Sequence, residues 1–354
     1  MSSSRSLTIL TAADVDRVLA SLDLDKAIAS QAAVFDAFSA VPSSASTPEN
    51  GVPPIQNPHR TTIETEQSTS LFMPARVTEL GGATCKIVSV PKASAGPNEG
   101  GLPAATVVLD DKGVVRGLVN ARKLTAMRNA CGSALFLRRC PPAGPITQCV
   151  FFGSGEQIYA HASVFLRLYG SIVRCTFVVR SKNERAVGLV RRLEAEHPAI
   201  TLYLRSADSA DTSPSSALSD LLFTAQVIVA ATSSQKALFP TSSVRPGTRV
   251  ILIGSYKPHM REVEDSLLRR ASRVVVDSKK ACLQEAGELI SAGITEEDLE
   301  ELGSMREGGK PVRSREDIVL FKSVGLGVQD VAITKLILDE AINLGIGTQI
   351  AAFD

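Results

Sequence analysis

Short, unbroken apolar runs punctuate the second half of the chain: Cys149-Val150-Phe151-Phe152, Thr176-Phe177-Val178-Val179, Ile200 to Leu204, Val227 to Ala231, Val250 to Gly254 and Val274 to Val276. Each is the length of a buried strand, and helical stretches lie between them. That alternation is the pattern of a doubly wound parallel sheet. Ile318 to Phe321 reads as a further strand. The first half has another rhythm. Thr11-Ala12-Ala13-Asp14 forms a capping box opening a short helix. A longer helix follows from about Asp25, with Ile28, Ala32, Phe35 and Phe38 on one stripe. Residues 41–59 hold five prolines and several serines and read as a loop. Strands are predicted at Arg60 to Thr65, Ser70 to Ala75, Thr84 to Val90, Ala104 to Leu109 and Val114 to Val119, the last two joined by the hairpin turn Asp110-Asp111-Lys112-Gly113. Leu124 to Arg139 is a helix stopped by Pro141-Pro142, and Val328 to Leu344 is a final amphipathic helix expected to pack back on the first region. The expected fold is α/β. A Rossmann-type doubly wound sheet occupies residues 124–321, and a discontinuous α+β domain combines residues 1–123 and 322–354. Apart from a Ser-rich patch at 206–219, no low-complexity segment or repeat is visible.

Composition narrows the function. With 354 residues, 44% hydrophobic and 21% charged, the chain suits a soluble two-domain protein. A net charge of +1 gives no electrostatic case for nucleic acid or an anionic membrane as partner. Met1-Ser2-Ser3-Ser4-Arg5-Ser6 lacks an apolar signal core and no run is long enough to span a bilayer, so the expected location is cytoplasmic. Six cysteines (85, 131, 140, 149, 175, 282) are scattered without a C-x-x-C pair and read as free thiols of a reducing compartment. The four histidines show no metal-ligand spacing, so no metal site is expected. His59 and His259 adjoin candidate site segments, but none of the four is assigned to catalysis.

Chemistry concentrates between Thr147 and Ser181. An apolar strand runs straight into Gly153-Ser154-Gly155, then into a helical stretch from Glu156 to Leu166, then into a second apolar strand ending at Arg180-Ser181. Strand, glycine turn, helix and strand form the first βαβ of a dinucleotide-binding fold, in which the glycines let backbone approach a pyrophosphate at the helix N-terminus. The third small position of G-x-G-x-x-G is occupied by Ile158, so the motif rests on its context. The strand end matters more. An NAD site places Asp or Glu there, whereas a 2′-phosphate wants arginine. Here Arg180 and Ser181 stand in that place and no carboxylate follows until Glu184. Arg180 can pair with the phosphate and Ser181 can donate to it, which points to NADP(H).

Several stretches together resemble the ornithine cyclodeaminase/μ-crystallin family: Arg60-Thr61, Lys86-Ile87-Val88, Leu124-Thr125-Ala126-Met127-Arg128-Asn129-Ala130, Gly153-Ser154-Gly155-Glu156-Gln157 and Gly254-Ser255-Tyr256-Lys257-Pro258. Arg261-Glu262, Val276-Asp277-Ser278, Glu285-Ala286-Gly287-Glu288 and Phe321-Lys322-Ser323-Val324-Gly325 with Asp330 continue the pattern. The resemblance runs from about residue 50 to the end. It implies a homodimer built through the antiparallel domain, a Rossmann domain inserted after it, and a substrate site between the two. By position it implies that Arg60, Lys86 and Arg128 surround the carboxylate of a small imino or amino acid, which a fork of guanidiniums and an ammonium can clamp. It places Gly153, Ser154, Gly155, Glu156 and Gln157 at the cofactor phosphates, Arg180 and Ser181 at the adenosine ribose, and Ala231-Thr232-Ser233 at the nicotinamide ribose. Gly254 and Ser255 fall near the nicotinamide. Arg128 and Asn129, the latter replacing the family's more usual Thr, also belong to the cofactor side.

One departure separates subfamilies. Where the cyclodeaminases carry a catalytic Asp, this chain has Tyr256, and a phenol, ionising near pH ~10, is a poor base at neutral pH. The resemblance therefore implies an NADPH-dependent reductase of cyclic ketimine carboxylates, such as Δ1-pyrroline-2-carboxylate or Δ1-piperideine-2-carboxylate, yielding proline or pipecolate. Tyr256 would hydrogen-bond the ring nitrogen or wall the pocket. Two other readings stay open: an ornithine cyclodeaminase or amino-acid dehydrogenase using NAD, and a non-enzymatic, NADPH-dependent binder of small ligands.

Overall fold

The structure, a computed structural model, describes residues 6–40, 51–92, 102–207, 218–305 and 317–353. In chain order the elements begin β1 (Leu7–Leu10), α1 (Ala12–Ser21), α2 (Leu24–Ala40), β2 (Ile55–Gln56), β3 (Thr61–Glu64), β4 (Ser68–Val77), β5 (Ala83–Pro91), β6 (Ala104–Leu109), β7 (Val115–Asn120) and α3 (Leu124–Arg139). They continue β8 (Gln148–Phe152), α4 (Glu156–Leu168), β9 (Arg174–Val179), α5 (Glu184–Glu196), β10 (Thr201–Ser206), α6 (Leu218–Thr224), β11 (Val227–Ala230), β12 (Arg249–Leu252), α7 (Asp265–Arg270), β13 (Arg273–Val276), α8 (Lys279–Glu285), α9 (Gly287–Ser291), β14 (Leu299–Glu301) and β15 (Val319–Lys322). The chain closes with α10 (Gly327–Asn343) and β16 (Thr348–Ile350). The described residues form two compact units, one running up to Arg128 and resuming at Leu326, the other spanning Asn129–Gly325.

The first unit is α+β. Its sheet runs β16-β1-β7-β6-β5-β4-β2, with β3 also on β4. Most pairs are antiparallel, but β1 lies parallel to β7. The expected turn joins β6 to β7, with Gly113 at φ +81 and its amide donating to the Asp110 carbonyl. Thr11 caps α1 through the expected box with Asp14. β1, β2 and β16 were not expected, and at four, two and three residues they are too short to show a period. The last helix differs from expectation in burial. α10 lies against α1 and α2 on one side and β4 and β5 on the other, so its buried residues include Gln329, Asp330 and Thr334 as well as the apolar ones. Its close fit shows at Gly117 of β7, where a Cβ would stand 2.7 Å from Leu338.

The second unit is the doubly wound sheet, ordered β10-β9-β8-β11-β12-β15-β13-β14 and parallel throughout. Strands buried on both faces cannot alternate polar with apolar, which is why they read as apolar runs. On one face Val150, Phe152, Ile228, Ala230, Val250 and Leu252 build a core; on the other, Phe151 stacks on Phe177 at 5.2 Å. The order reverses between β8 and β11, and a doubly wound sheet binds ligands at that switch point, beyond the strands' carboxyl ends. One arrangement was not foreseen: β15 inserts between β12 and β13. Residues 41–50 of the expected loop and 208–217 of the Ser-rich patch lie outside the described residues, as do residues 1–5.

Candidate functional site

In the first unit three of the expected residues gather around a fourth that was not assigned. Lys86 lies on β5 among side chains directed toward α10, Arg128 ends this unit's part of α3, and Asp330 occupies the first turn of α10. Lys86 Nζ stands 2.8 Å from Asp330 Oδ2, and Arg128 Nε donates to Oδ1 at 3.0 Å. Arg128 Nη1 donates to Gln329 Oε1 at 2.7 Å, and that oxygen also accepts the Leu326 amide. Thr125 Oγ1 lies 3.4 Å from Lys86 Nζ. Lys86, Arg128 and Asp330 are all buried, while Arg60 is half-buried. Burial brings the Lys86 ammonium down to about 8; Asp330 opposes that shift, and the Arg128 and Arg60 guanidiniums add to it. Seen from Lys86, then, one carboxylate faces two guanidiniums. The arrangement suits a further anion.

In the second unit the glycine turn follows β8 as expected. Gly153 has φ +119 and donates to the Val178 carbonyl at 2.9 Å. A Cβ there would come within 2.9 Å of the Ala231 carbonyl, so only glycine lets the turn press against the loop after β11. Gly155 caps α4 with no side chain accepting from the first-turn amides, the arrangement in which a helix N-terminus takes up an anion. Asn129 Nδ2 donates to Gln157 Oε1 at 3.2 Å, tying the start of this unit to that turn. Arg180 and Ser181 follow β9 and are exposed, with the Arg180 carbonyl accepting from Ser206.

A buried carboxylate holds the nicotinamide-side candidates together. Glu262 Oε1 accepts from the Thr232 amide at 2.7 Å and its hydroxyl at 2.9 Å, while Oε2 accepts from the Gly254 amide at 2.7 Å. Desolvation raises its pKa; the Lys322 charge and the amide donors work the other way. Gly254 is pressed so closely on Thr232 that a Cβ would lie 2.0 Å from the Thr232 carbonyl. Ser255 is fully buried, and its Oγ has no hydrogen-bond partner among the described residues. Ser233 and Tyr256 are exposed, and Lys257 Nζ lies 5.7 Å from the Tyr256 ring centre. Asp277 plays a similar role at β13: Oδ2 accepts from Ser323 Oγ and from the Val324 and Gly325 amides.

Asp330, Gln329 and Glu262 were missed as functional residues. Asp330 and Glu262 stand within the motifs quoted above, but nothing in the sequence shows that these acids are buried and facing cations or loop amides. Among the described residues no cluster of three or more His, Cys, Asp or Glu could hold a metal, and no helix is long and apolar enough to cross a membrane.

Comparison with known proteins shows the family and the fold. The sequence profile of the Ornithine cyclodeaminase/mu-crystallin family matches residues 20–344. The chain belongs to that family. Among relatives, a Delta(1)-pyrroline-2-carboxylate reductase of Bacillus cereus is 27% identical over 292 residues, covering 80% of this chain and 85% of the relative. The mouse Ketimine reductase mu-crystallin is 28% identical over 238 residues, covering 66% of this chain and 69% of its own. A Thermococcus litoralis Delta(1)-pyrroline-2-carboxylate reductase, solved with NADH and L-proline, superposes with a TM-score of 0.79 at 22% identity, over 97% of this chain and all of that one. That likeness shows that the family's fold extends over both units.

Proposed function

We propose that this family member is an NADPH-dependent reductase of cyclic ketimine carboxylates, converting Δ1-pyrroline-2-carboxylate or Δ1-piperideine-2-carboxylate to proline or pipecolate. The observation that carries the reading is the cluster in which Lys86 and Arg128 share the single carboxylate of Asp330, with Arg60 acting on the same ammonium. Two cations converging on one carboxylate, with a third close enough to act on one of them, present donors that match an incoming substrate carboxylate. The relatives named for pyrroline-2-carboxylate and ketimine reduction support that substrate class.

The second unit fits a nicotinamide dinucleotide. The Gly153 to Gly155 turn at the switch point, the first-turn amides of α4 and the hydroxyl of Ser255, which has no partner among the described residues, are the groups such a ligand would engage. Arg180 and Ser181 would hold the 2′-phosphate, which favours NADP(H). When bound, the cofactor supplies hydride. The chain's own residues do the rest. Arg60, Lys86 and Arg128 bind the substrate carboxylate and so fix the orientation of the imine. Asp330 and Gln329 hold Arg128 in place and Asp330 keeps Lys86 Nζ aimed. With its pKa near 8, that nitrogen can carry a proton or release one close to neutral pH. Tyr256, exposed on the loop after β12, offers no carboxylate for cyclodeaminase chemistry. We also place the protein in a reducing compartment, the cytosol, because its six cysteines are free thiols. We read it as a homodimer joined through the long strands β4 and β5, many of whose residues are only partly buried.

The test is NADPH oxidation with the five- and six-membered ketimine carboxylates, repeated with NADH. Arg128→Ala should lower kcat/KM on the order of 100-fold. Arg180→Ala should weaken NADPH about tenfold and leave NADH unchanged. Absence of turnover with either ring, despite NADPH binding, refutes the reductase and favours the binder.

A further inference from the structure

Arg185 stands where a helix gains nothing from it. The first turn of α5 is set by Asn183, whose side chain accepts the Ala186 amide at 3.0 Å. That turn carries the positive end of the helix dipole, which favours acids and disfavours arginine. Glu184 conforms and Arg185 does not. Nor does Arg185 serve a neighbouring acid: it is exposed and forms no ion pair or hydrogen bond with another described residue. Its guanidinium instead reaches back to the glycine turn. Nη2 lies 3.0 Å, and Cζ 3.9 Å, from where a Cβ on Gly155 would be. Gly155 caps α4, and the second glycine of such a turn is where backbone approaches a pyrophosphate. The missing side chain therefore makes room for a guanidinium as well as for a phosphate.

We propose that Arg185 clamps the pyrophosphate of the bound dinucleotide, reaching from α5 across the glycine turn to complete a phosphate cradle otherwise made of α4 amides. A guanidinium's planar fork matches two phosphate oxygens at once. The assignment differs from that of Arg180, which follows β9 at the ribose end, so the two arginines divide the ligand between them. It rests on the dinucleotide reading of the second unit and is indifferent to the choice between NAD and NADP.

The test is binding to the full-length protein without substrate, by calorimetry, for wild type, Arg185→Ala and Arg185→Lys. The probes are NADPH, NADH, 5′-ADP, which carries the diphosphate, and 2′-AMP, which carries only the 2′-phosphate. Arg185→Ala should weaken NADPH, NADH and 5′-ADP alike, by about tenfold, with 2′-AMP unchanged. Arg185→Lys should recover only part of the loss, because an ammonium lacks the fork. A loss confined to NADPH and 2′-AMP would move Arg185 to the 2′-phosphate and overturn the proposal. So would unchanged affinity for every probe. Wild-type protein that binds no dinucleotide would instead sink the cofactor reading itself, which keeps the two failures apart.

Discussion

Replacing Asp330 by Asn tests the logic of the cation cluster directly. The carboxylate takes an ion pair from Lys86 at 2.8 Å and another from Arg128 at 3.0 Å, all three side chains only 2–3% exposed. A carboxamide keeps one acceptor and turns an NH2 group toward a cation. Removing one partner of a buried pair costs about 3–5 kcal/mol. The two cations respond differently. A guanidinium keeps its proton at any ordinary pH, so the Arg128 share of the loss stands. Lys86 has an escape. With its pKa near 8, shedding the proton at pH 7 costs a little over ~1 kcal/mol, which caps its share. By pH 9 wild-type Lys86 is already largely neutral and that share vanishes. The sign follows from proton counting: the folded state holds this proton less tightly than the unfolded chain, so stability rises with pH above the folded pKa, and from a lower pH in the variant. Urea denaturation followed by circular dichroism should therefore show Asp330→Asn destabilised by about 3–5 kcal/mol at pH 7 and by roughly 1 kcal/mol less at pH 9. Hydrogen exchange of the α10 amides gives a local check. A loss equal or larger at pH 9, or below ~1 kcal/mol at both values, refutes the account of the cluster.

Three further outcomes follow from the same geometry. A substrate-like carboxylate such as L-proline, titrated calorimetrically, should bind with uptake of a fraction of a proton near pH 8, and its affinity should fall as pH rises through that value; pH-independent binding would remove Lys86 from the carboxylate site. Gly254→Ala would drive a Cβ into the Thr232 carbonyl and part the loops that Glu262 ties, so dinucleotide affinity should drop by about tenfold or more while far-UV dichroism stays native. His161, buried between Gln157 and Ser133, is lowered to about 4 by desolvation; its contribution is present above pH 6.5 and lost as pH falls toward 4, so His161→Asn should flatten part of the acid limb of the stability curve.

The parallel sheet was legible because strands covered on both faces leave runs such as Cys149 to Phe152 that no surface segment would carry. The glycine turn was legible because its spacing is fixed by the bend after β8. The shortest strands were not: β1 and the edge strand β16 hold three pairs between them and no period. Buried charges were the hardest. Lys86 and Asp330 are ordinary polar letters in sequence, 244 positions apart by subtraction of their numbers, and only the packing of α10 against β5 shows them as partners. Arg249 makes the same point: it is fully buried, donating to the carbonyls of Cys140, Pro141, Gly247 and Asp317, and nothing in its neighbourhood of sequence announces that. Family resemblance supplied the roles expected of Arg60, Lys86 and Arg128, and the structure supplied the acid that holds two of them.

The first unit is assembled from both ends of the chain, and this sets an order of events on the ribosome. The second unit is contiguous, so it can close its core once β15 has emerged. The first unit must wait. Until α10 leaves the exit tunnel, β4 and β5 lack the helix that packs on them, and Lys86 and Arg128 lack the Asp330 carboxylate they pair with. A nascent chain stalled before Leu326 would carry all of the second unit flanked by an unfinished sheet, and the 17 residues of α10, about 1–3 seconds of synthesis at roughly 5–20 residues per second, add the helix that the carboxylate cluster depends on.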